Sequence, residues 1–205
     1  MSWTWFTLAR IFYMKITLAI DTATARTQFA LIKGEELIWL EIEDGATTHG
    51  DVLAKFGAKA AKERIDQVIV GMGPGPFTGL RTGIVFAQSF AFAQGLPVHG
   101  VCSLDALAFG INLPEFVVAT DARRKELYWA KYVNGVRVGT PEVCVPSEIP
   151  NLSKTPIFGE GALKYSLTTS KEHLYPNLIS FPKLIAVDKP MYLRHPDAVA
   201  TVDRK

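Results

Sequence analysis

Apolar and polar positions alternate in short blocks through the chain after residue 13. Residues 15–20, 29–32 and 37–42 are runs rich in β-branched, leucine and aromatic residues, and polar turns separate them. A short connection at residues 33–36, which contains Gly34, joins the last two runs as a hairpin would. The pattern therefore predicts three consecutive antiparallel strands.

Helical spacing takes over in the next segment. Leu53, Phe56 and Ala60 recur at intervals of three and four residues, which predicts a helix. This helix is expected to begin at the capping residue Thr48 and to end near residue 62. The other predicted elements are strands at 68–70 and 98–101 and helices at 79–94 and 103–109. Strands that alternate with helices indicate a partly parallel sheet in an α/β fold.

The strand plan of the first region occurs a second time. Residues 117–138 repeat the order of residues 17–38: an apolar strand ending in aspartate, a turn, a second strand, a glycine-containing hairpin and a third strand. Asp21 and Asp121 hold the same place in the two units. Self-similarity at a fixed offset predicts an internal duplication. Beyond the second unit the pattern is weak, and only residues 156–158 predict a strand.

The chain divides into three parts on this basis. Residues 1–13 are apolar and aromatic but interrupted by Arg10. They are too short to span a bilayer and lack the basic start and cleavage site of a signal peptide. We expect them to be an N-terminal extension, with Met14 as a candidate native start. Residues 14–102 are expected to form an N-terminal lobe and residues 103–205 a smaller C-terminal lobe.

The helix predicted at residues 79–94 is apolar around most of its circumference. Leu80 and Ile84 belong to one apolar face, whereas Val85 and Phe92 lie on another. Two interpretations stay open: complete burial within the chain, or a protein–protein interface on one side of the helix. The candidate interface residues on this helix and the preceding one are Leu53, Phe56, Ala60, Arg81, Val85, Phe86, Ser89, Phe90 and Ala93.

The strand before this helix leads into GMGPGPFTGLRTG at residues 71–83. The glycine spacing matches neither the Walker A loop nor the dinucleotide fingerprint, and Pro74 and Pro76 remove two backbone donors. The segment therefore predicts a tight strand-to-helix turn with close backbone packing. Anion binding near the positive end of the helix remains an alternative. Its candidate residues are Asp21, Thr22, Gly75, Thr78, Gly79, Arg81, Asp121 and Arg123.

Composition narrows the classes of function. The net charge of +2 is too small to indicate nucleic-acid binding by bulk electrostatics. Cys102 and Cys144 are not in CxxC spacing and form no zinc signature with the histidines, which favours a reducing cytosol. No serine, cysteine or histidine stands in a recognisable nucleophile–base–acid set. No catalytic residue and no metal ligand is therefore assigned.

Four segments carry a resemblance to a known family. The run that begins GMGPGPFTGLRTG resembles the G-x-GPGSFTG-[LV]-R signature of the TsaB (YeaZ) family, bacterial tRNA threonylcarbamoyladenosine biosynthesis proteins of the glycoprotease-like type. MKITLAIDT from Met14, TDARRKELYWAKY around Asp121 and PMYLRHPDA from Pro190 are similar to three further family segments. Pro76 stands where the family commonly has serine. The resemblance implies an actin/Hsp70/sugar-kinase-like α/β fold with two lobes, each opening with a strand–hairpin unit, and a reduced second lobe.

The resemblance also implies a function. It is that of a non-catalytic scaffold that dimerises with a catalytic TsaD-like paralogue and works with a TsaE-like ATPase. The complex forms N6-threonylcarbamoyladenosine at position 37 of tRNAs reading codons that begin with A. ATP and metal belong to the partner subunits, tRNA is reached indirectly through the complex, and the chain alone forms a homodimer. A cytoplasmic location away from membranes is expected.

Two alternatives come from other classes of protein. One is a small ATP-binding phosphotransferase of the same fold, with Asp21 and Asp121 on the metal–phosphate. The other is a glycoprotease-like peptidase, for which the sequence offers no residues to do the chemistry.

Overall fold

A computed structural model describes residues 14–45, 49–151 and 154–194. The expectations for residues 1–13 and for Thr48 as a helix cap lie outside these ranges. The strands are β1 (Ile16–Asp21), β2 (Arg26–Lys33), β3 (Glu36–Asp44), β4 (Gln67–Gly71), β5 (Val98–Val101), β6 (Glu115–Asp121), β7 (Leu127–Val133), β8 (Val136–Cys144) and β9 (Ile157–Phe158). The helices are α1 (His49–Ala60), α2 (Phe77–Gln94), α3 (Ser103–Ala108) and α4 (Glu160–Lys164), with 3₁₀ turns at Pro146–Glu148 and Leu178–Lys183.

The first sheet has the strand order β3-β2-β1-β4-β5. β1, β2 and β3 pair antiparallel, and Gly34 adopts a φ of 62° in the turn between the last two. β4 pairs parallel to β1, and β5 parallel to β4, through crossovers that contain α1 and α2. The predicted three-strand meander and partly parallel sheet are confirmed.

The second sheet repeats this plan in the order β8-β7-β6-β9. β6, β7 and β8 form an antiparallel meander, and β9 pairs parallel to β6 as β4 pairs to β1. Asp21 ends β1 and Asp121 ends β6, at equivalent places in the two sheets. The two lobes that the repeated pattern predicts are therefore present, and the second lobe has one strand fewer.

Both faces of the first sheet are covered, but by different kinds of structure. α1 and α2 lie on one face, where their apolar sides pack against Leu18, Ile20 and Phe29. On the opposite face, Leu178 and Phe181 of the second 3₁₀ turn pack against strands of the first sheet. Burial on both sides explains why β1 and β4 are almost continuously apolar, as parallel strands commonly are.

The expected lobe boundary at residues 102 and 103 stays a prediction. α3 packs into the core of the second lobe. A C-terminal strap at residues 187–194 returns to the first lobe. The backbone N–H of Val187 donates a hydrogen bond to the Gly100 carbonyl oxygen at 2.9 Å. The backbone N–H of Met191 donates one to the Met72 carbonyl oxygen at 2.8 Å. The first lobe is thus built from two separate stretches of chain.

Sequence patterns also missed structure after residue 139. β8 continues to Cys144, and α4 follows β9 directly. α4 is too short to show a helical period in its sequence. Within the described residues, no helix has the length and apolar character needed to cross a membrane.

Candidate functional site

The glycines of residues 71–83 allow the β1–β2 turn to lie against the loop between β4 and α2. A Cβ on Gly71 would overlap Oδ2 of Asp21, and one on Gly75 would overlap the carbonyl oxygen of Ala23. A Cβ on Gly83 would overlap Oγ1 of Thr22. Three glycines are therefore required by the close approach of the β1–β2 turn, through two side chains and one backbone carbonyl. This supports the predicted tight turn with close packing.

Asp21 is fully buried within this contact. Its Oδ2 accepts a hydrogen bond from the Ser103 hydroxyl at 2.6 Å, and its Oδ1 accepts one from the Ala23 N–H at 3.0 Å. Burial raises the pKa of the Asp21 carboxyl to about 6, although both hydrogen bonds oppose the shift. The side chain connects the end of β1 to the start of α3, and its oxygens point into protein.

Thr22 and Gly79 close the space where an anion would approach the start of α2. The Thr22 hydroxyl donates to the Gly79 carbonyl at 2.8 Å, and a Cβ on Gly79 would lie 3.0 Å from the Thr22 carbonyl oxygen and 3.2 Å from Nε2 of His49. The His49 ring, in turn, lies 2.6 Å from the Thr27 hydroxyl through Nδ1. Thr78 is exposed, and its carbonyl accepts from the Thr82 hydroxyl at 2.7 Å.

Asp121, the counterpart of Asp21 in the second lobe, is held by α4. Lys164 forms an ion pair with Oδ2 at 2.5 Å, and the Tyr165 hydroxyl donates to Oδ1 at 3.2 Å. The Asp121 N–H donates to Glu160, whose pKa is raised, chiefly by burial. Arg123 follows in the turn and donates its N–H to Asp121 Oδ1 at 3.0 Å.

The phosphotransferase alternative places Asp21 and Asp121 on a metal–phosphate. In this chain Asp21 is buried against Gly71, and Asp121 is engaged by Lys164. The residues present therefore do not fit a metal–phosphate. In the three described ranges, no three His, Cys, Asp or Glu side chains come together as metal ligands would. The expectation that this chain binds no nucleotide or metal by itself stays a prediction.

α1 and the inner side of α2 form core, which corrects part of the predicted interface. Leu53, Phe56 and Ala60 are buried against the first sheet and α2, so they cannot contact a partner directly. That part of the prediction was wrong because a helix wheel shows which residues share a face but not what the face covers. Phe86 and Phe90 are half-buried against the same core.

Phe86 also explains a glycine in α1. Its ring lies over Gly57, where a Cβ would overlap Cζ, and it packs edge-on against Phe29 at 5.6 Å between centroids. Phe90 stacks beside it at 6.0 Å. Both rings lie at the α1–α2 contact, so they can border an interface but do not form its exposed surface.

The outer side of α2 is exposed and apolar. Val85 is 53% exposed and Phe92 is 90% exposed, an unusual value for a phenylalanine in a folded chain. These two residues and Arg81 are spaced so that they share one side of the helix. Of the predicted interface residues, Arg81, Val85, Ser89 and Ala93 are exposed. We call the exposed side formed by Arg81, Val85, Ser89, Phe92 and Ala93 the outer face of α2.

Sequence reasoning missed several residues of these sites. Phe92 was absent from the candidate interface although the helical wheel placed it beside Val85, so a signal existed. Ser103 and Lys164 had no recognisable local signal. Their roles come from contacts between segments that lie far apart in sequence.

The fold defines the class of this molecule. It is an α/β protein with two lobes built on the same strand–hairpin plan. A family model described as "TsaD: tRNA N6-adenosine threonylcarbamoyltransferase" matches residues 51–159. The chain belongs to this family and is a TsaB (YeaZ)-type member of it.

Individual relatives support this assignment. The chain is 38% identical over 205 residues to an uncharacterized protein of Mycobacterium leprae, covering 90% of this chain and 56% of the relative. An uncharacterized protein of Mycobacterium tuberculosis is 37% identical over 201 residues, which is 88% of this chain and 92% of the relative. The tRNA threonylcarbamoyladenosine biosynthesis protein TsaB of Escherichia coli is 35% identical over 133 residues, covering 56% of this chain and 54% of that protein.

A solved structure, YeaZ from Pseudomonas aeruginosa, superposes with a TM-score of 0.67 at 25% identity. The match covers 88% of this chain and all of that one. The chain thus spans just over half the length of the M. leprae and E. coli relatives and nearly all of the M. tuberculosis relative.

Proposed function

We propose that this chain is a non-catalytic scaffold in tRNA threonylcarbamoyladenosine biosynthesis, which docks a catalytic TsaD-like paralogue through the outer face of α2. The observation that carries the proposal is the exposure of Val85 and Phe92 on a helix whose other side is core. Exposed apolar side chains of this kind stabilise a complex when a partner covers them, because they are then removed from water. The names of the TsaB relatives supply the pathway.

The engagement of both strand-ending aspartates supports the scaffold role over a phosphotransferase. The phosphotransferase alternative needs both carboxylates accessible to a metal–phosphate, whereas Asp21 is buried and Asp121 is paired with Lys164. No reaction step is assigned to this chain. We propose that ATP and the metal bind to the other subunits of the complex, one of which is a TsaE-like ATPase. We also propose that the chain alone self-associates through the outer face of α2.

The proposal predicts that charge on the outer face blocks partner binding. Replacing Val85 and Phe92 by aspartate should weaken association with the TsaD-like protein of the same organism at least tenfold. A central apolar anchor is commonly worth 2 kcal/mol or more, on the order of a thirtyfold change in affinity. Both side chains are exposed, so the monomer should fold normally. Co-purification and light scattering would measure the association.

Val136→Asp provides a matched control. Val136 is also exposed, but it lies at the β7–β8 hairpin, away from α2. This variant should bind the partner as the wild-type chain does. Equal binding by the V85D/F92D variant and by wild type would refute docking through this face, and normal tRNA modification in a reconstitution that lacks this chain would refute the scaffold role.

A further inference from the structure

Two aromatic rings lie exposed where α2 begins. Phe77 is 41% exposed and Tyr192, from the C-terminal strap, is 42% exposed. Their ring centroids are 5.0 Å apart, and the ring planes are inclined by 49°. The guanidinium carbon of Arg81 lies 5.1 Å from the Phe77 centroid. An aromatic pair beside a cation is a surface on which a nucleic-acid base can stack.

A basic turn connects β6 to β7 close by. Arg123, Arg124 and Lys125 are exposed, and all three adopt left-handed backbone conformations, with φ of 59°, 52° and 64°. Such conformations cost of order 1 kcal/mol or more for residues with long side chains, and glycine or asparagine would adopt them more easily. Three consecutive cations are therefore held outward at a cost in stability.

The C-terminal strap joins the basic turn to the aromatic pair. Arg194 donates from Nη2 to the Arg123 carbonyl at 3.4 Å and forms an ion pair with Glu126. Tyr192 is only two residues away, at most about 7 Å along an extended chain. The strap therefore brings the rings of Phe77 and Tyr192 near the turn at 123–125, and we call these exposed residues together the strap surface.

Local charge on the strap surface is positive. The two carboxylates nearest the turn are already engaged, Asp121 by Lys164 and Glu126 by Arg194. Burial lowers the pKa of the His49 imidazole, and the positive charge of Arg123 lowers it further. The charges of Arg123 and Lys125, both exposed, therefore remain available to a ligand.

We propose that the strap surface binds RNA directly, with phosphates at Arg123 and Lys125 and a base or ribose against Phe77 and Tyr192. RNA fits better than a free nucleotide because the cations and the rings come from separate exposed segments, whereas the turn after Asp21 packs against Gly71 and Gly75. The inference rests on the proposed function only in its choice of tRNA as the RNA. It goes beyond that function because it gives this chain a tRNA contact of its own.

Binding of an unmodified tRNA transcript to the full chain tests the inference. Fluorescence anisotropy at about 50 mM salt should show binding, and the slope of log K against log salt counts the phosphate contacts. Replacing Arg123 and Lys125 by alanine should weaken binding at least fivefold and reduce the slope by about 1.4 to 1.8. Ultraviolet crosslinking should place RNA on the peptides that contain Phe77 or Tyr192.

Lys62 and Lys171 provide the matched control. Both are exposed and lie away from the strap surface, and replacing them by alanine removes the same charge. Equal losses in the two double variants, no binding by wild type, or crosslinks confined to other peptides would overturn the inference. Full displacement of the tRNA by millimolar ATP would also overturn it, because the site would then be one for free nucleotide.

The two proposals fail separately. V85D/F92D should lose the protein partner and keep RNA binding, whereas R123A/K125A should do the reverse. If the RNA-binding experiment alone gives the contrary result, the proposal that a partner docks through the outer face of α2 still stands.

Discussion

Gly83→Ala is expected to destabilise the protein by about 3 kcal/mol, in spite of the higher helix propensity of alanine. Gly83 lies inside α2, and an added Cβ would overlap Oγ1 of Thr22 and come within 3.1 Å of its Cβ and Cγ2. Thr22 cannot move away easily, because it is buried and bonded to the Gly79 carbonyl. Chemical denaturation would measure the loss, and the melting temperature should fall by about 10 °C.

Gly50→Ala is the control for helix propensity. Gly50 lies in the first turn of α1, and a Cβ there would have no atom within 4 Å. This variant should be neutral or more stable by up to about 1 kcal/mol. A similar gain for Gly83→Ala would show that the turn at Thr22 is looser than the structure indicates.

A double-mutant cycle isolates the overlap itself. Thr22→Ala removes Oγ1 and Cγ2 and loses one buried hydrogen bond, which costs about 1 kcal/mol. In the T22A background, Gly83→Ala should cost much less than it does in wild type, because Oγ1, the atom that the new Cβ would overlap, is gone. Strict additivity of the two changes would contradict the assigned contact.

The strands of both lobes could be predicted from sequence because each lobe opens with apolar runs and turn residues that are local signals. The burial of α2 could not be predicted in the same way. A helical wheel compares the sides of α2 only by their hydrophobicity. On it, the side with Val85 and Phe92 is as apolar as the side with Leu80 and Ile84. The small residues were the better guide, because Gly83 marks the side of α2 that packs against the Thr22 side chain.

Residues that act through distant partners left no signal of this kind. Asp21 was correctly seen as a strand-ending carboxylate, but its partner Ser103 lies 82 residues away in sequence. Lys164 pairs with Asp121 from a five-residue helix. Whether each aspartate faces solvent or protein depends on those partners, and therefore on the assembled fold. The turn at residues 71–83 was the exception, since proline fixes φ and glycine permits left-handed φ and close contacts, and both are local signals.

Asp21→Asn should make the protein more stable at neutral pH. The pKa of Asp21 is raised by burial from 3.8 to about 6 in the folded chain, so folding favours the protonated acid. Its stabilising contribution is fully present below pH 3.8 and is lost as the pH rises through about 6. Asparagine stays neutral, its oxygen can accept from the Ala23 N–H, and its amide can donate to the Ser103 hydroxyl. The difference in unfolding free energy, variant minus wild type, should therefore grow by roughly 3 kcal/mol between about pH 4 and pH 7.

Asp44→Asn should show the opposite pH dependence. The hydrogen-bonded ion pair with Arg26 lowers the pKa of Asp44, so its contribution is present at neutral pH and is lost as the pH falls through the folded-state pKa. D44N should therefore be less stable than wild type at pH 7 and approach it in acid. Other groups that titrate in this window, such as His49, are common to all three proteins and cancel in each difference. If the unfolding free energies of D21N and wild type changed in parallel between about pH 4 and pH 7, the Asp21 carboxylate would be solvated. The turn between β1 and β2 would then again be a candidate site for a bound ion.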